Sequence, residues 1–175
     1  MEWFPTISLS YVVSDNLTLY GNYKRSIQRP DYQSLNPFQF FLNDVTIVTG
    51  NPNLQPIILD HNVIGASFAK YFTVEAYHKI YNNNIYELPR QDNLNKILTY
   101  TPLNINKTTE FGFDFLVNFS MTKRWSVYFV TSAYHSKDES EFNGIAVTQS
   151  QWANFSNLSN DFTFLKDNSL SANLN

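Results

Sequence analysis

The chain has 175 residues, of which 15% are charged and 17% are aromatic, with a formal net charge of −3 and no cysteine. Soluble domains average about 25% charged residues, so this composition favours a membrane β-barrel, whose polar lumen offsets its apolar exterior. The few scattered lysines and arginines argue against nucleic-acid binding, and the lack of cysteine excludes disulfides and thiolate metal sites.

Transmembrane helices are not expected, because polar residues interrupt every apolar run before it reaches the about 18 residues that such a helix needs. Residues 1–5 show neither the basic region nor the apolar region of an export signal. If the chain is exported, we therefore expect it to be part of a longer protein.

The first predicted element is a hairpin near the start of the chain. Apolar and polar side chains alternate over residues 6–13, and the alternation resumes after a polar turn at residues 14–16. A period of two gathers side chains on one face of a strand, whereas a helix would scatter them. The residues that share this face are Ile7, Leu9, Tyr11, Val13, Leu17, Leu19, Gly21 and Tyr23.

A long polar segment, residues 26–56, precedes a second predicted hairpin over residues 61–81, which turns near residues 70–71. The polar segment contains an aromatic cluster at residues 36–42. This cluster could contact a partner, but we favour its packing onto a neighbouring loop or the barrel wall, because prolines and aromatics together fix the shape of a loop.

The clearest strand covers residues 110–120, and a polar turn at residues 121–124 joins it to a strand over residues 125–134. The apolar side chains of this hairpin are predicted to face the membrane: Phe111, Phe113, Phe115, Val117, Phe119, Val127 and Phe129. Glu110 and Asp114 alternate with them, and we interpret these acids as charges that line the lumen rather than as a catalytic pair.

Residues 82–106 and 135–150 are rich in polar residues and are predicted loops, and a last hairpin is predicted over residues 151–175 with a turn at residues 165–168. The pattern predicts eight strands, each antiparallel to its neighbours, joined alternately by short turns and long loops. This is an all-β antiparallel transmembrane barrel segment, with short turns on the periplasmic side and long loops outside the cell.

A soluble or surface-attached β-sandwich that binds a partner through its aromatic face would show the same alternation. Strand length favours the barrel, because the predicted strands have about 9–12 residues, whereas soluble strands average about 5–6 and membrane strands need about 9–11. Aromatic residues near the strand ends would form two interfacial girdles. They are Trp3, Phe4, Tyr23, Tyr71, Phe72, Trp125, Tyr134 and Trp152.

Three short motifs follow one another between residues 23 and 56. Their residues are Arg29, Pro30 and Tyr32, then Leu35, Asn36, Pro37 and Phe38, and finally Gly50, Asn51, Pro52, Leu54 and Pro56. In this order they resemble the barrel of TonB-dependent receptors of the Bacteroidetes outer-membrane β-barrel family. There, Arg-Pro-x-Tyr ends a strand, Leu-Asn-Pro-Phe follows in a loop, and Gly-Asn-Pro-x-Leu-x-Pro leads into the next strand.

The resemblance implies that residues 1–175 form part of an outer-membrane barrel domain, without the plug and closing C-terminal strand of such receptors. It also implies the partners: outer-membrane lipid, a plug domain, the TonB complex and a small-molecule or glycan substrate, such as a siderophore, imported into the periplasm. Side chains would fill a barrel of only eight strands, so a transporter needs more. A stand-alone eight-stranded barrel, serving as an anchor, adhesin or enzyme scaffold, is the alternative.

No catalytic or cofactor chemistry is predicted. The common nucleophile, phosphate-binding and dinucleotide-binding motifs are absent from the sequence. His61, His78 and His135 lie far apart along the chain, without acidic residues at metal-ligand spacing. We therefore expect neither enzyme activity nor a metal or other cofactor. Substrate-binding residues are not predicted, because specificity would lie in loops and in the plug.

Overall fold

A computed structural model describes residues 2–69, 71–142, 145–164 and 171–174. Its strands are β1 (Thr6–Ser14), β2 (Leu17–Gln28), β3 (Gln39–Asn43), β4 (Thr46–Thr49), β5 (Ile57–Phe68), β6 (Phe72–Asp92), β7 (Ile97–Thr122), β8 (Trp125–Phe142), β9 (Ile145–Thr163) and β10 (Ser171–Leu174). A single helical turn, α1 (Tyr32–Leu35), precedes β3. Within the described ranges, no helix is long and apolar enough to cross a membrane.

Eight of the strands form a continuous sheet in the order β1-β2-β5-β6-β7-β8-β9-β10. All neighbours along this path are antiparallel, so the predicted eight-stranded barrel segment is confirmed. The sheet is open between β1 and β10 over the part of the chain that the structure describes. The predicted turn at residues 165–168 lies outside the described residues.

Strands β3 and β4 form a hairpin that branches from this sheet. Residues 46–48 of β4 pair in parallel with residues 98–100 of β7, so the prediction that all neighbours are antiparallel was wrong at this point. A parallel pairing is possible here because residues 49–97, which include β5 and β6, separate the two pairing segments along the sequence.

Two segments predicted as loops are largely strand. Residues 82–92 and 97–106 form the outer parts of β6 and β7, and residues 135–142 and 145–150 form those of β8 and β9. Their many Asn, Gln, Ser and Thr side chains resemble loop composition. Cross-strand pairing nevertheless satisfies backbone groups that an irregular loop would leave to water. The outward connections are therefore long hairpins rather than irregular loops.

The sheet has one apolar and one polar face, because cross-strand partners project their side chains to the same side. A row on the apolar face consists of Gly21, Ile64, Ala76, Phe113 and Ala133. The adjacent row on the polar face consists of Tyr20, Gly65, Glu75, Asp114 and Ser132. This division is what a barrel wall needs if lipid lies outside and water inside.

The tight turns are staggered along the sheet. Leu17 follows the first turn and shares a row with Phe72 and Val117, yet β7 continues five residues further, to Thr122, before it turns. The two turns are four strand spacings apart. A strand rises about 3.4 Å per residue, and neighbouring strands lie about 4.8 Å apart. If all the tight turns lie at the same height in the membrane, this stagger requires strands tilted from the barrel axis by about 40°, which is within the range of closed barrels.

An unpaired position, Asn83 opposite Asn106, divides β6 and β7 into an inner and an outer part without a change of register. Asn83 has a φ of 58°, a left-handed conformation that asparagine adopts more readily than most residues. Pairing passes from Asn82–Lys107 directly to Asn84–Ile105. Pairing of β7 with β8 also ends at Lys107. The outer hairpin of β6 and β7 therefore diverges at this position from the outer hairpin of β8 and β9.

Buried apolar side chains concentrate where the branch meets the outer part of β7. They include Ile47, Leu54, Ile57, Ile58 and Ile105. The inner sheet instead exposes large apolar side chains on its apolar face. A small soluble-type core thus fixes the outer segments, while the barrel wall itself has no second layer in the described residues.

Candidate functional site: the polar face and the outward hairpins

Carboxylates on the polar face are held by hydroxyl groups from neighbouring strands. The Tyr20 hydroxyl donates to Glu75 at 2.5 Å, and the Ser132 hydroxyl donates to Asp114 at 2.5 Å. Glu75 and Asp114 face each other across β6 and β7, where like charges repel. Each hydroxyl hydrogen bond offsets part of that repulsion and holds a negative group on this face.

Further along the polar face, Lys79 lies 3.7 Å from Glu110 and 4.5 Å from the centre of the Tyr77 ring. Tyr77 also lies over Gly112, where a Cβ atom would come within 2.6 Å of its ring. A glycine opposite a tyrosine gives the ring room to lie flat on the sheet. The predicted interpretation of Glu110 as a charge on the polar face agrees with this arrangement.

All seven residues predicted to face the membrane lie on the apolar face. The register places Phe113 opposite Ala133, Phe115 opposite Thr131, and Val117 opposite Phe129. Phe113 is 51% exposed, whereas Val117 is 8% exposed because it lies between Phe72 and Phe129. Contact of these side chains with lipid stays a prediction.

A row rich in aromatic and imidazole rings crosses the apolar face near the outer end of the inner sheet. It consists of Tyr23, Asn62, His78, Phe111, His135 and Trp152. His78 and His135 thus flank Phe111, although they lie far apart in the sequence. Of the predicted girdle residues, Tyr23 and Trp152 lie in this row. Tyr134 lies on the polar face opposite Gly112, so its placement in a girdle was wrong.

The second and third sequence motifs meet in one place, which we call the motif junction (residues 31–38 and 49–56). Asp31 caps α1 by accepting a hydrogen bond from the Ser34 amide at 2.6 Å, and this bond lowers the pKa of the Asp31 carboxyl below its usual value. The amide of Asn51 donates to the Ser34 carbonyl at 2.7 Å, and that of Gly50 donates to the Asn36 carbonyl at 2.9 Å. Backbone hydrogen bonds therefore join the segments of the second and third motifs.

The motif junction is also fastened to the outer part of β7. The Gln55 amide donates to the Asn104 side chain at 2.8 Å, and the Asn104 side chain donates back to the Gln55 carbonyl at 3.0 Å. The Asn51 side chain donates to the Pro102 carbonyl at 3.2 Å. Asn104 was not singled out in the sequence, because only the folded register brings it to Gln55.

The aromatic cluster does not pack as expected. Phe38, Phe40, Phe41 and Leu42 are all exposed, with Phe41 at 70%. Every residue of β3 is exposed, so neither of its faces has a second layer among the described residues. Our prediction that the cluster packs onto the wall or a neighbouring loop was wrong for this part of the chain.

A hydrogen-bond network centred on the buried Thr108 lies at the point where the two outward hairpins diverge. Thr108, which is 1% exposed, donates to Asp138 at 2.6 Å and accepts from the Asn84 side chain at 3.0 Å. The Tyr86 hydroxyl donates to the same Asp138 oxygen at 3.3 Å. Burial raises the pKa of the Tyr86 hydroxyl, and the Asp138 charge acts in the same direction.

Replacement of Thr108 by valine should destabilise the outward hairpins, because it leaves Asn84 and Asp138 without their shared partner. Asn84 and Asp138 are half-buried, and a fully buried polar group left unpaired costs about 1–3 kcal/mol, so we expect a loss of about 1 kcal/mol in the free energy of unfolding, at the lower end of that range. Urea titration of the purified protein in detergent would measure it. Thr109→Val, one residue along on the opposite face, is the matched control, and equal losses for both variants would contradict a special role of the network.

No group of three or more His, Asp or Glu side chains within the described residues is arranged to hold a metal ion. His61 instead contacts the Tyr77 ring edge-on, with 6.3 Å between ring centres, and the His135 ring lies 5.1 Å from that of Trp152. These histidines therefore take part in ring packing on the two faces of the sheet.

The two-faced antiparallel sheet with staggered turns can be compared with known proteins. A family model described as "Outer membrane protein beta-barrel family" matches residues 1–175. The chain belongs to this family. The family places it in the bacterial outer membrane, as the strand pattern predicts. A search of curated proteins finds no match for this outer-membrane chain.

Solved structures with a similar fold include the siderophore receptor PirA from Pseudomonas aeruginosa. The similarity has a TM-score of 0.61 at 14% identity and covers 94% of this chain and 37% of that one. The ferric enterobactin receptor PfeA, in complex with BCV-L6, gives 0.57 at 12% identity, covering 94% and 33%. The copper transporter OprC gives 0.55 at 11% identity, covering 92% and 31%.

At these identities the comparison establishes a shared barrel fold. This member of the outer-membrane β-barrel family spans about a third of the length of the receptor chains that it matches. The particular Bacteroidetes-type receptor class suggested by the motifs remains an expectation.

Proposed function

We propose that this chain forms part of the wall of a TonB-dependent outer-membrane receptor that imports a nutrient into the periplasm. The observation that carries the proposal is the division of one tilted sheet into an exposed apolar face and a hydrogen-bonded polar face. A transport barrel requires lipid-compatible side chains outside and a polar surface along the solute path. The similarity to receptor barrels supports the same interpretation.

The proposal includes further strands beyond the eight of this sheet. Eight strands closed on themselves would leave an interior filled by side chains, whereas the barrels of large transporters hold a plugged lumen and have about 22 strands. A chain that spans about a third of the matched receptors fits one section of such a wall. The stand-alone eight-stranded barrel is the weaker alternative for the same reason.

The proposed partners follow from this placement. Outer-membrane lipid covers the apolar face, and a plug domain contacts the polar face that carries Glu75, Asp114 and Glu110. The TonB complex supplies energy through the plug. The outward hairpins and the motif junction stand on the extracellular side, where they receive the solute. The β-sandwich alternative would require a second sheet over the phenylalanine face.

Uptake measurements test the proposal in cells that carry the complete protein. Neutral glycans are supplied as the sole carbon source, and ferric siderophores and metal chelates as the sole metal source. Depletion of each solute from the medium is followed. We expect uptake of at least one solute to fall at least tenfold after deletion of the gene, and equally after deletion of TonB. Restoration by the intact gene is the control. Unchanged uptake of the whole panel in the gene deletion would overturn the proposal.

A further inference from the structure

A groove lies at the fork between the two outward hairpins, and we call it the fork groove. Its volume is about 260 Å³, and residues from both hairpins line it. Tyr86, Leu88 and Ile105 belong to β6 and β7, whereas Ser140, Gln149 and Gln151 belong to β8 and β9. The groove exists because pairing between β7 and β8 ends at Lys107 and Glu139.

The side chains of β6 that reach the polar side change at the unpaired position of Asn83 and Asn106. Below it, the odd-numbered residues Tyr77, Lys79 and Tyr81 of β6 share the polar face with Thr108 and Glu110. Above it, the even-numbered residues Asn84 and Tyr86 are the ones that reach Thr108 and Asp138. The left-handed conformation of Asn83 interrupts the regular alternation of the strand, and the Tyr86 ring beyond it lies on the polar side, with its hydroxyl at Asp138.

The groove offers several hydrogen-bonding groups that no other side chain uses. Ser140, Gln149 and Gln151 have no hydrogen-bond partner among the described residues, and their side chains are exposed or half-buried. Both hydrogen bonds to Asp138 end on its Oδ1 atom, which leaves Oδ2 free to accept another. Each glutamine amide supplies two donor hydrogens and an acceptor oxygen.

The negative charge of the fork groove disfavours anionic ligands. Among the described residues that line it, Asp138 is the one charged residue, and none is a lysine or arginine. The nearby Lys137 belongs to the opposite face and pairs with Glu139 at 2.6 Å. An anionic ligand, such as a ferric catecholate, would meet an unpaired carboxylate here without a cation to offset the repulsion.

We propose that the fork groove binds a neutral oligosaccharide on the extracellular side of the barrel. Sugar hydroxyls both donate and accept, which matches the amides, the serine hydroxyl and the free carboxylate oxygen. The apolar faces of sugar rings match Tyr86, Leu88 and Ile105 on the other side. The biological role of this site rests on the proposed transport function. The binding itself does not, because it can be measured without uptake.

The test uses the complete receptor, purified in detergent, and an array of neutral oligosaccharides built from hexoses and pentoses. A ferric catecholate and a tetralysine peptide represent the alternative anionic and cationic ligand classes. Affinity for the best oligosaccharide is then measured by calorimetry for the variant Gln149→Ala/Gln151→Ala. We expect at least tenfold weaker binding, since two neutral hydrogen bonds are lost. The matched control, Thr148→Ala/Ser150→Ala, alters alternate positions of the same strand and should change affinity less than twofold.

Binding of a neutral oligosaccharide that the groove variant weakens and the control variant does not would support the proposal. Absence of binding across the array, binding of the catecholate or the peptide alone, or equal affinities of the two variants would each overturn it. These failures are distinct from a failure of the transport proposal. Solute uptake that depends on the gene and on TonB, but is unchanged in the glutamine variant, would refute the groove assignment alone.

Discussion

Phe113→Arg should sharply reduce the amount of folded protein in the outer membrane, whereas Leu116→Arg should leave most of it intact. Phe113 is 51% exposed on the apolar face of β7, near the centre of the phenylalanine band. An arginine that faces lipid at the bilayer midplane destabilises a barrel by about 2–4 kcal/mol. This is a large fraction of the net stability of most domains.

Leu116 provides the matched control because it lies three residues further along the same strand, on the opposite face. Its cross-strand neighbours are Thr73 and Val130, and it lines the same pocket as Glu75 and Asp114. An arginine there would meet water and carboxylates. Fractionation and the heat-sensitive gel mobility of folded barrels measure both variants in the complete protein. Equal loss of folded protein in both would contradict the assignment of the two faces.

The inner sheet could be predicted from the sequence because every strand carries its own signal. Five apolar residues at alternate positions between Phe111 and Phe119 fix the strand, its length and the identity of its faces. The tight turns lie within or beside the predicted positions, at residues 15–16 and 123–124. Local periodicity is sufficient where one face is apolar and the other polar.

The outward hairpins could not be predicted in the same way. The run Asn82-Asn83-Asn84 has loop composition, yet it contains the unpaired position at which the two hairpins diverge. Beyond it neither face of the strands is uniformly apolar or polar, so alternation in hydrophobicity fades. Pairing there depends on partners elsewhere in the sequence, such as Leu103 for Tyr86, and composition does not report them.

For the motif residues, the sequence predicts that they matter to the family but does not predict their structural role. Resemblance identified Asn36, Gly50 and Asn51 as family positions. The structure supplies the reason, since these residues hydrogen-bond across the motif junction and fasten it to Pro102. The motif residues thus stabilise the motif junction and its attachment to β7. Gln149 and Gln151, which belong to no motif, line the proposed binding groove.

Gly50→Ala should loosen the motif junction. A Cβ atom at Gly50 would lie 2.7 Å from both the Asn36 nitrogen and the Gln33 carbonyl oxygen. These are backbone atoms in a segment fixed by the bonds from Gly50 to Asn36 and from Asn51 to Ser34, so they have little freedom to move away. Forcing an extra carbon into a packed site costs about 1–3 kcal/mol, and we expect faster proteolysis of residues 31–56 in the folded receptor.

Gly21→Ala is the control for this substitution, because a Cβ atom there would find its nearest contact at 3.7 Å, the Val63 carbonyl oxygen. That distance is an ordinary van der Waals contact, so both the unfolding midpoint and the proteolysis rate should match those of the unchanged protein. If Gly50→Ala behaves like Gly21→Ala in both measurements, the contact between the second and third motifs is not what holds the branch. If only Gly50→Ala is cleaved faster while its barrel remains folded, the junction is an independent unit that fastens the outward segment to β7.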